Sequence, residues 1–130
     1  MHELSICYSI LSQVETIAKQ KGAISVSLVN LQIGPLSGVE SLLLKNAWHI
    51  ASANTIAASA RLKIEEIPVK VRCTSCHLES NATINSMRCA HCGEWRTQLI
   101  SGDEMLLRTI ELEREENTTE KTLFKEREHV

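Results

Sequence analysis

Four of the five cysteines fall in two C-x-x-C pairs, Cys73-Thr74-Ser75-Cys76 and Cys89-Ala90-His91-Cys92, with twelve residues between them. Two thiolates three positions apart fit on one tight turn, and two such turns complete the tetrahedral tetrathiolate site that zinc prefers. Because four thiolates leave no open coordination position, the spacing predicts a structural zinc ion rather than a catalytic one. Rubredoxin-like iron and a redox-active cysteine pair are the alternatives.

The residues around these pairs have less specific meanings. His77 and His91 are interpreted as exposed polar residues, with hydrogen-bond donors to the cluster or substitute ligands as the alternatives. Trp95 is expected to pack on the zinc segment, with an exposed contact residue as the alternative. Zinc ribbons often bind nucleic acid, and four basic residues surround this one: Lys70, Arg72, Arg88 and Arg96. Glu79 and Glu94 dilute that charge, and no row of aromatic side chains offers a stacking platform. Nucleic-acid binding is therefore not favoured.

The N-terminal triplet Met1-His2-Glu3 has the donors of a metal chelate. The α-amine, the His2 backbone nitrogen and the His2 imidazole would close adjacent rings around one ion, with the Glu3 backbone nitrogen as a fourth donor. Deprotonated amides are strong-field ligands, which suit square-planar nickel(II) or copper(II). On residue types alone this signal is weak, because a histidine at position two is usually a surface residue.

Other reactive side chains have simpler explanations. Cys7 lies on the apolar face of the first predicted helix and is expected to be a buried, inert thiol. His49 is expected at the surface, and Asp103 with Glu104, next to Gly102, are interpreted as turn residues. In the C-terminal tail, Phe124 and His129 are expected to be solvated.

The elements that would position these residues follow from periodicity. An amphipathic helix is predicted over 4–20, a strand over 23–33 and a second helix over 39–57. The second helix has an apolar side formed by Val39, Leu42, Leu43, Ala47, Ile50, Ala51 and Ala57. A second strand is predicted over 62–71, with Pro68 at an edge or bulge. The stretch TQLISGDEMLLRTIELE predicts a hairpin or a strand with a Gly-Asp turn, whose Met105, Leu107, Ile110 and Leu112 face the core.

These elements predict an α+β fold with two helices packed on a small three-stranded sheet and an inserted zinc-ribbon-like domain with four cysteines. The predicted division is 1–70 plus 99–116 for the α/β domain, 71–98 for the zinc-binding domain, and 117–130 for a charged tail expected to be disordered. The chain has 130 residues, is 43% hydrophobic and carries a formal net charge of -2. A chain with this net charge lacks the excess of positive charge that binding to a nucleic-acid phosphate backbone requires. The absence of a secretory signal or a long apolar run predicts a cytosolic protein.

The order of the motifs along the chain identifies a family more specifically than any one motif does. Met-His-Glu, a helix, a strand ending in IGPLSGVE, a second helix, the paired cysteines and SGDEMLLRTIELE together resemble the hydrogenase nickel-incorporation accessory protein family, HypA/HybF, over about residues 1–116. The resemblance implies a small cytosolic metallochaperone with nickel at Met1, His2 and Glu3. It implies structural zinc on Cys73, Cys76, Cys89 and Cys92. It also implies that the protein acts together with a GTPase accessory protein on [NiFe]-hydrogenase precursors. In some members, urease maturation proteins are further partners.

The chain departs from that family in two places. Its charged tail is longer than the family pattern requires, and Gly93 stands where some relatives have a histidine after the second cysteine pair. The resulting prediction is a non-enzymatic nickel metallochaperone that binds no nucleic acid and no membrane. The alternative is a zinc-ribbon adaptor that binds protein or nucleic acid without a nickel role. The sequence leaves open the client enzyme, the oligomeric state and the preference for nickel over copper.

Overall fold

The computed structural model describes residues 3–114 and 119–129. Two helices, α1 (Glu3–Gln20) and α2 (Ser41–Ser52), accompany seven strands. The strands are β1 (Ser25–Ile33), β2 (Arg61–Glu66), β3 (Lys70–Cys73), β4 (Glu79–Asn81), β5 (Thr97–Ser101), β6 (Met105–Glu113) and β7 (Thr119–His129). A short 3-10 turn, Pro35–Ser37, follows β1. None of the helices in this described part is long and apolar enough to cross a membrane.

The larger sheet has the strand order β2-β1-β6-β7, with β2 parallel to β1 and the other pairs antiparallel. Both helices cover one face of it. Alternate β1 residues are buried there, Val29, Leu31 and Ile33 among them, because successive side chains of a strand point to opposite faces. The described core is mainly aliphatic and includes Trp48, which is 2% exposed and donates its indole N–H to the Ala60 carbonyl at 3.3 Å.

The smaller sheet has the order β4-β3-β5 and lies entirely within residues 70–101. Its buried apolar positions are few: Val71, Cys73 and Cys89. The prediction of two helices on a small sheet with an inserted zinc-ribbon-like segment is confirmed in its architecture. The larger sheet has four strands instead of three because β7 is added to β6.

Residues 67–69 and 102–104 connect the two sheets, and Gly102 in the second connection packs against the turn that follows β1. Gly34 lies directly against Gly102, so that Gly34 N–H donates to the Glu104 carbonyl at 2.8 Å and Leu36 N–H donates to the Gly102 carbonyl at 2.7 Å. The buried Glu104 carboxylate accepts the N–H groups of Gly102 at 2.6 Å and Asp103 at 3.0 Å. The turn predicted at this place is therefore a fixed junction, with Glu104 as its internal acceptor.

Three sequence predictions about the elements are wrong in whole or in part. The strand predicted over 62–71 is two strands in different sheets, β2 and β3, because Pro68 lacks the N–H that would continue the ladder. Of the two alternatives predicted for the stretch after Cys92, the hairpin does not form, since β5 pairs with β3 while β6 pairs with β1, but a strand after a turn at Gly102-Asp103 does. In α2, the buried side carries Leu44, Trp48 and Ala51, of which only Ala51 was predicted.

The exposed side of α2 carries Leu42, Leu43 and Ile50, which are 69%, 47% and 68% exposed. This helix ends at Ser52, and Asn54 follows with a positive φ of 61°. The fourth wrong prediction is the disordered tail: Thr119–His129 pair with β6 as β7. The side chains of Phe124 and His129, and residues 117, 118 and 130, lie outside what the structure describes.

Candidate metal centre

The two cysteine pairs lie on two turns of the same construction. In the first, Cys73 N–H donates to the Leu78 carbonyl at 3.0 Å; in the second, Cys89 N–H donates to the Glu94 carbonyl at 2.9 Å. Each turn has a left-handed residue directly after its second cysteine, His77 with φ 62° and Gly93 with φ 78°. That backbone region suits glycine and is tolerated by histidine. The repeated C-x-x-C motif therefore folds as a repeated local structure, with the chain turning back at each second cysteine.

Backbone N–H groups point at the first sulfur of each turn. Ser75 and Cys76 both donate to the Cys73 Sγ at 3.3 Å, and His91 donates to the Cys89 Sγ at 3.3 Å. Hydrogen bonds to a thiolate favour its charged form. The N–H groups of Cys76 and then Ser75 lower the pKa of Cys73, and those of Cys92 and then His91 lower the pKa of Cys89 to about 6. Both turns thus prepare a thiolate, the form that binds metal.

The turns bring all four sulfur atoms within 4.8 Å of one another. The Sγ atoms of Cys73 and Cys92 are 3.5 Å apart, and those of Cys76 and Cys89 are 3.6 Å apart. In a tetrahedral site with zinc–sulfur bonds of about 2.3 Å, neighbouring sulfur atoms are about 3.8 Å apart. The four cysteine sulfurs could therefore bind one zinc ion with little movement. Four ligands of this type would leave no position for a substrate.

The surroundings of the cluster hold it in place. Ser80 of β4 accepts the Ala90 N–H at 3.1 Å, and the Thr97 hydroxyl donates to the Met87 carbonyl at 2.7 Å. His91 is exposed, and its Nε2 lies 3.2 Å from the Glu79 carbonyl oxygen. His77 is exposed as well. The role of Ser80 has no sequence signal, because only the antiparallel pairing of β3 and β4 brings it to the second turn.

Trp95 does not pack on the zinc segment as predicted; it is 69% exposed, with the Arg96 guanidinium 5.9 Å from its ring centre. The basic residues are partly neutralised, since Arg72 pairs with Glu79 at 3.6 Å and Arg96 pairs with Glu94. A continuous positive surface for a phosphate backbone therefore does not form around these two arginines.

Of the three predicted nickel donors, the structure describes Glu3. Met1 and His2 are outside the described residues, and Glu3 is the first residue of α1. Cys7 is fully buried, as predicted, and its Sγ lies 3.6 Å from the Leu44 carbonyl oxygen. Burial and then the nearby negative charge of Glu3 raise its pKa to about 11, so it stays a neutral thiol. His49 is exposed, also as predicted.

Fold and cluster together define a class: an α+β protein whose second, small sheet carries a tetracysteine metal site. Residues 1–112 match the family model described as hydrogenase/urease nickel incorporation, metallochaperone, HypA. The chain belongs to this family, whose members are metallochaperones and not enzymes.

Individual relatives agree with that membership. The chain is 46% identical over 112 residues to the hydrogenase maturation factor HypA of Nitrosospira multiformis, covering 86% of this chain and 97% of that one. It is 42% identical to the hydrogenase maturation factor HypA of Aquifex aeolicus, covering 87% and 98%. The solution structure of the nickel metallochaperone HypA from Helicobacter pylori superposes with a TM-score of 0.65 at 25% identity, covering 88% of this chain and 100% of that chain.

Proposed function

We propose that this chain is a metallochaperone that binds nickel(II) at Met1, His2 and Glu3 and delivers it to [NiFe]-hydrogenase precursors during their maturation. The observation that carries the proposal is the match of residues 1–112 to the nickel-incorporation family. The tetracysteine cluster adds support, since the resemblance to this family implies a second, zinc-binding site on these four cysteines.

The chemistry of the N-terminus supports nickel as the cargo. The first amides of a helix have no intrahelical acceptor, so using the Glu3 nitrogen as a donor costs α1 no hydrogen bond. The helix dipole disfavours a cation at this end, and the charge of the deprotonated amides with the Glu3 carboxylate offsets it. An exposed chelate that is open on one side releases its ion readily, which suits delivery more than storage. Because binding releases protons, the nickel affinity rises with pH.

In this proposal the four cysteines bind a structural zinc ion. The smaller sheet buries too few apolar side chains to fold by the hydrophobic effect alone, since Val71 is its only fully buried aliphatic residue. Zinc coordination would supply that missing stabilisation. The pKa is lowered for Cys73 and Cys89 and raised for Cys76 and Cys92, so metal binding would release protons from the second cysteine of each turn.

The partners follow from the same proposal. Delivery of nickel calls for a hydrogenase large-subunit precursor as the recipient and a GTPase accessory protein as the co-worker, with urease maturation proteins as further partners. With these partners, the chain would act in the cytoplasm. Cu(II) would bind the same nitrogen donors more tightly than Ni(II), so selection in the cell rests on metal availability and partners.

The test compares untagged, zinc-loaded protein with a variant that has one residue added before Met1. The extension moves the free amine and leaves every side chain in place. Calorimetry and visible absorption during a nickel titration are expected to show one square-planar site in the original protein and its loss in the extended form. His2→Ala, with zinc content and circular dichroism unchanged, is expected to lose the same site. Equal nickel binding by all three forms would refute the N-terminal site.

A second candidate function, a zinc-ribbon adaptor for another protein, draws on the exposed Leu78 and Trp95 next to the two cysteine turns. It predicts bound zinc, but no stoichiometric nickel in the same titration. The ion pairs of Arg72 and Arg96 argue against an adaptor that binds nucleic acid, because they neutralise two of the basic side chains.

A further inference from the structure

The C-terminal strand β7 covers one side of β6, and it lies beyond the part of the chain that matches the family. The family match ends at residue 112, whereas β7 spans Thr119–His129 and pairs with β6 on the side opposite to β1. A long apolar strand at the edge of a sheet is a template for a further strand. β7 therefore occupies an edge that another extended segment could use.

The inner neighbour of β6 matches it well. Three residues of β6 are fully buried in the core beneath the helices: Leu107, Ile110 and Leu112. Opposite these three residues, β1 has buried apolar residues in every case: Leu31, Val29 and Val26. Residues directly opposite each other on antiparallel strands interact, and apolar pairs stabilise the sheet. β1 is therefore a matched partner for the core-facing residues of β6.

β7 has polar residues at the same positions. Opposite the three core-facing residues of β6, its register has two glutamates and a threonine: Glu128, Thr122 and Glu120. A carboxylate opposite an apolar residue forms no apolar pair, and it loses hydration if it is buried there. The register also shifts, because the two steps from Leu107 to Thr109 on β6 are opposite the five steps from Glu128 to Leu123 on β7. β7 is therefore a poor match for β6.

One position of β7 is complementary to β6 in charge. Lys121 lies opposite Glu111 in the register, and opposite charges at such positions are favourable. Among the described helices and strands, β6 is the one with which β7 makes extensive contact. β7 is therefore held by its main-chain pairing and by few favourable cross-strand pairs. A segment with so few supporting contacts opens at a low cost in free energy.

We propose that the outer edge of β6 is a docking site for an extended segment of another protein, and that β7 covers this site until the segment displaces it. The segment that fits has a basic residue opposite Glu111 and apolar residues opposite Leu107, Ile110 and Leu112. Strand addition supplies main-chain hydrogen bonds, and the side chains at alternate positions supply specificity. Because only residues 114–118 join β7 to β6, β7 competes at a high effective concentration, and only a better-matched strand replaces it. The proposal does not depend on the nickel role.

The experiment measures how β7 competes with a synthetic strand. The probe is a fluorescent peptide with the sequence of Thr119–His129 that carries Glu120→Val, Thr122→Val and Glu128→Val. Fluorescence anisotropy follows its binding to three zinc-loaded full-length chains: wild type, Thr122→Pro, and a variant with the same three valines in its own β7. Proline has no N–H group and disrupts the pairing of β7, so Thr122→Pro is expected to bind the probe about tenfold more tightly than wild type. The valine variant, whose own strand matches β6, is expected to bind the probe about tenfold more weakly than wild type.

Two further measurements locate the binding site. In the Thr122→Pro chain, Glu111→Lys places a like charge opposite Lys121 of the probe and is expected to weaken binding about tenfold. Glu113→Lys makes the same change in charge opposite a neutral residue and is expected to leave binding unchanged. Hydrogen exchange of wild type with saturating probe is expected to show that β7 loses protection while β6 keeps it.

Circular dichroism and zinc content establish that each variant is folded before its affinity is compared. Equal binding of the probe by all three chains would overturn the competition by β7, and no binding to Thr122→Pro would overturn the docking site. A probe that binds wild type without loss of protection in β7, or whose binding is insensitive to Glu111→Lys, would lie elsewhere on the protein and would equally overturn the proposal.

Discussion

The contact of Gly34 with Gly102 predicts a large cost for a substitution that looks harmless in the sequence. Gly34 has φ -85° and ψ 148°, an extended conformation that any residue adopts. Alanine at such a position usually stabilises slightly, by restricting the unfolded chain. Its Cβ here would lie 2.7 Å from the Gly102 Cα, and closer still to the Gly102 carbonyl carbon and oxygen.

The expected cost follows from what must move. Gly102 cannot simply retreat, because it packs against Val69 on its other side. Separating the two backbones breaks the hydrogen bonds from Gly34 to Glu104 and from Leu36 to Gly102, each worth about 1 kcal/mol net. Overpacking adds about 2 kcal/mol. We therefore expect Gly34→Ala to lower the free energy of unfolding by about 4 kcal/mol, a large part of the ~5–15 kcal/mol typical of a domain.

The assay is urea unfolding of zinc-loaded protein, followed by circular dichroism and by the fluorescence of the buried Trp48. Gly38→Ala is the matched control. Its backbone has φ 79°, but a Cβ there meets nothing within 4 Å, so only the strain of about 1–2 kcal/mol is expected. The reasoning is refuted if Gly34→Ala unfolds at the wild-type urea concentration, or if Gly38→Ala is the more destabilised of the two.

Three other predictions test the core and the cluster. Leu44→Ala should lower the free energy of unfolding by about 3 kcal/mol and Leu42→Ala by less than about 0.5 kcal/mol in the same urea assay, because only Leu44 is buried. Acidification of the zinc-loaded protein should release the metal, followed with a chromophoric chelator, because protons compete with zinc for the four thiolates. Cys89→Ser should release zinc at a higher pH than wild type, because the site then has one thiolate fewer. Cys7→Ala should leave nickel stoichiometry unchanged in calorimetry, since Cys7 is a buried neutral thiol.

The elements with the strongest local patterns were predictable from the sequence. α1 was expected over 4–20 and spans Glu3–Gln20, because its apolar residues recur at helical spacing over five turns. The core-facing residues of β6 were also correct: Leu107, Ile110 and Leu112 are buried. α2 was placed correctly in the chain, but its buried side was predicted only in part, since nearly every face of Leu42–Ile50 carries an apolar residue and periodicity cannot choose among them.

The candidate metal centre was also predictable from the sequence only in part. Spacing alone identified the four cysteines, because C-x-x-C determines a local turn, and their convergence within 4.8 Å follows from two such turns facing each other. The left-handed residues His77 and Gly93, and the N–H groups that point at Cys73 and Cys89, belong to those turns. The nickel donors Met1 and His2 remain a prediction from sequence and family, and lie outside the described residues.

What the sequence determined by itself is therefore local: the helical register of α1, the alternation in β1 and β6, and the metal-binding chemistry of the cysteine pairs. Tertiary structure alone decided which strands share a sheet. It separated β2 from β3 at Pro68 and β5 from β6 at Gly102, paired β7 with β6, exposed Trp95, and left β2 as a sheet edge. The physical reason is that strand pairing and burial depend on residues far apart in the chain, whereas spacing within one turn reports only on its nearest neighbours.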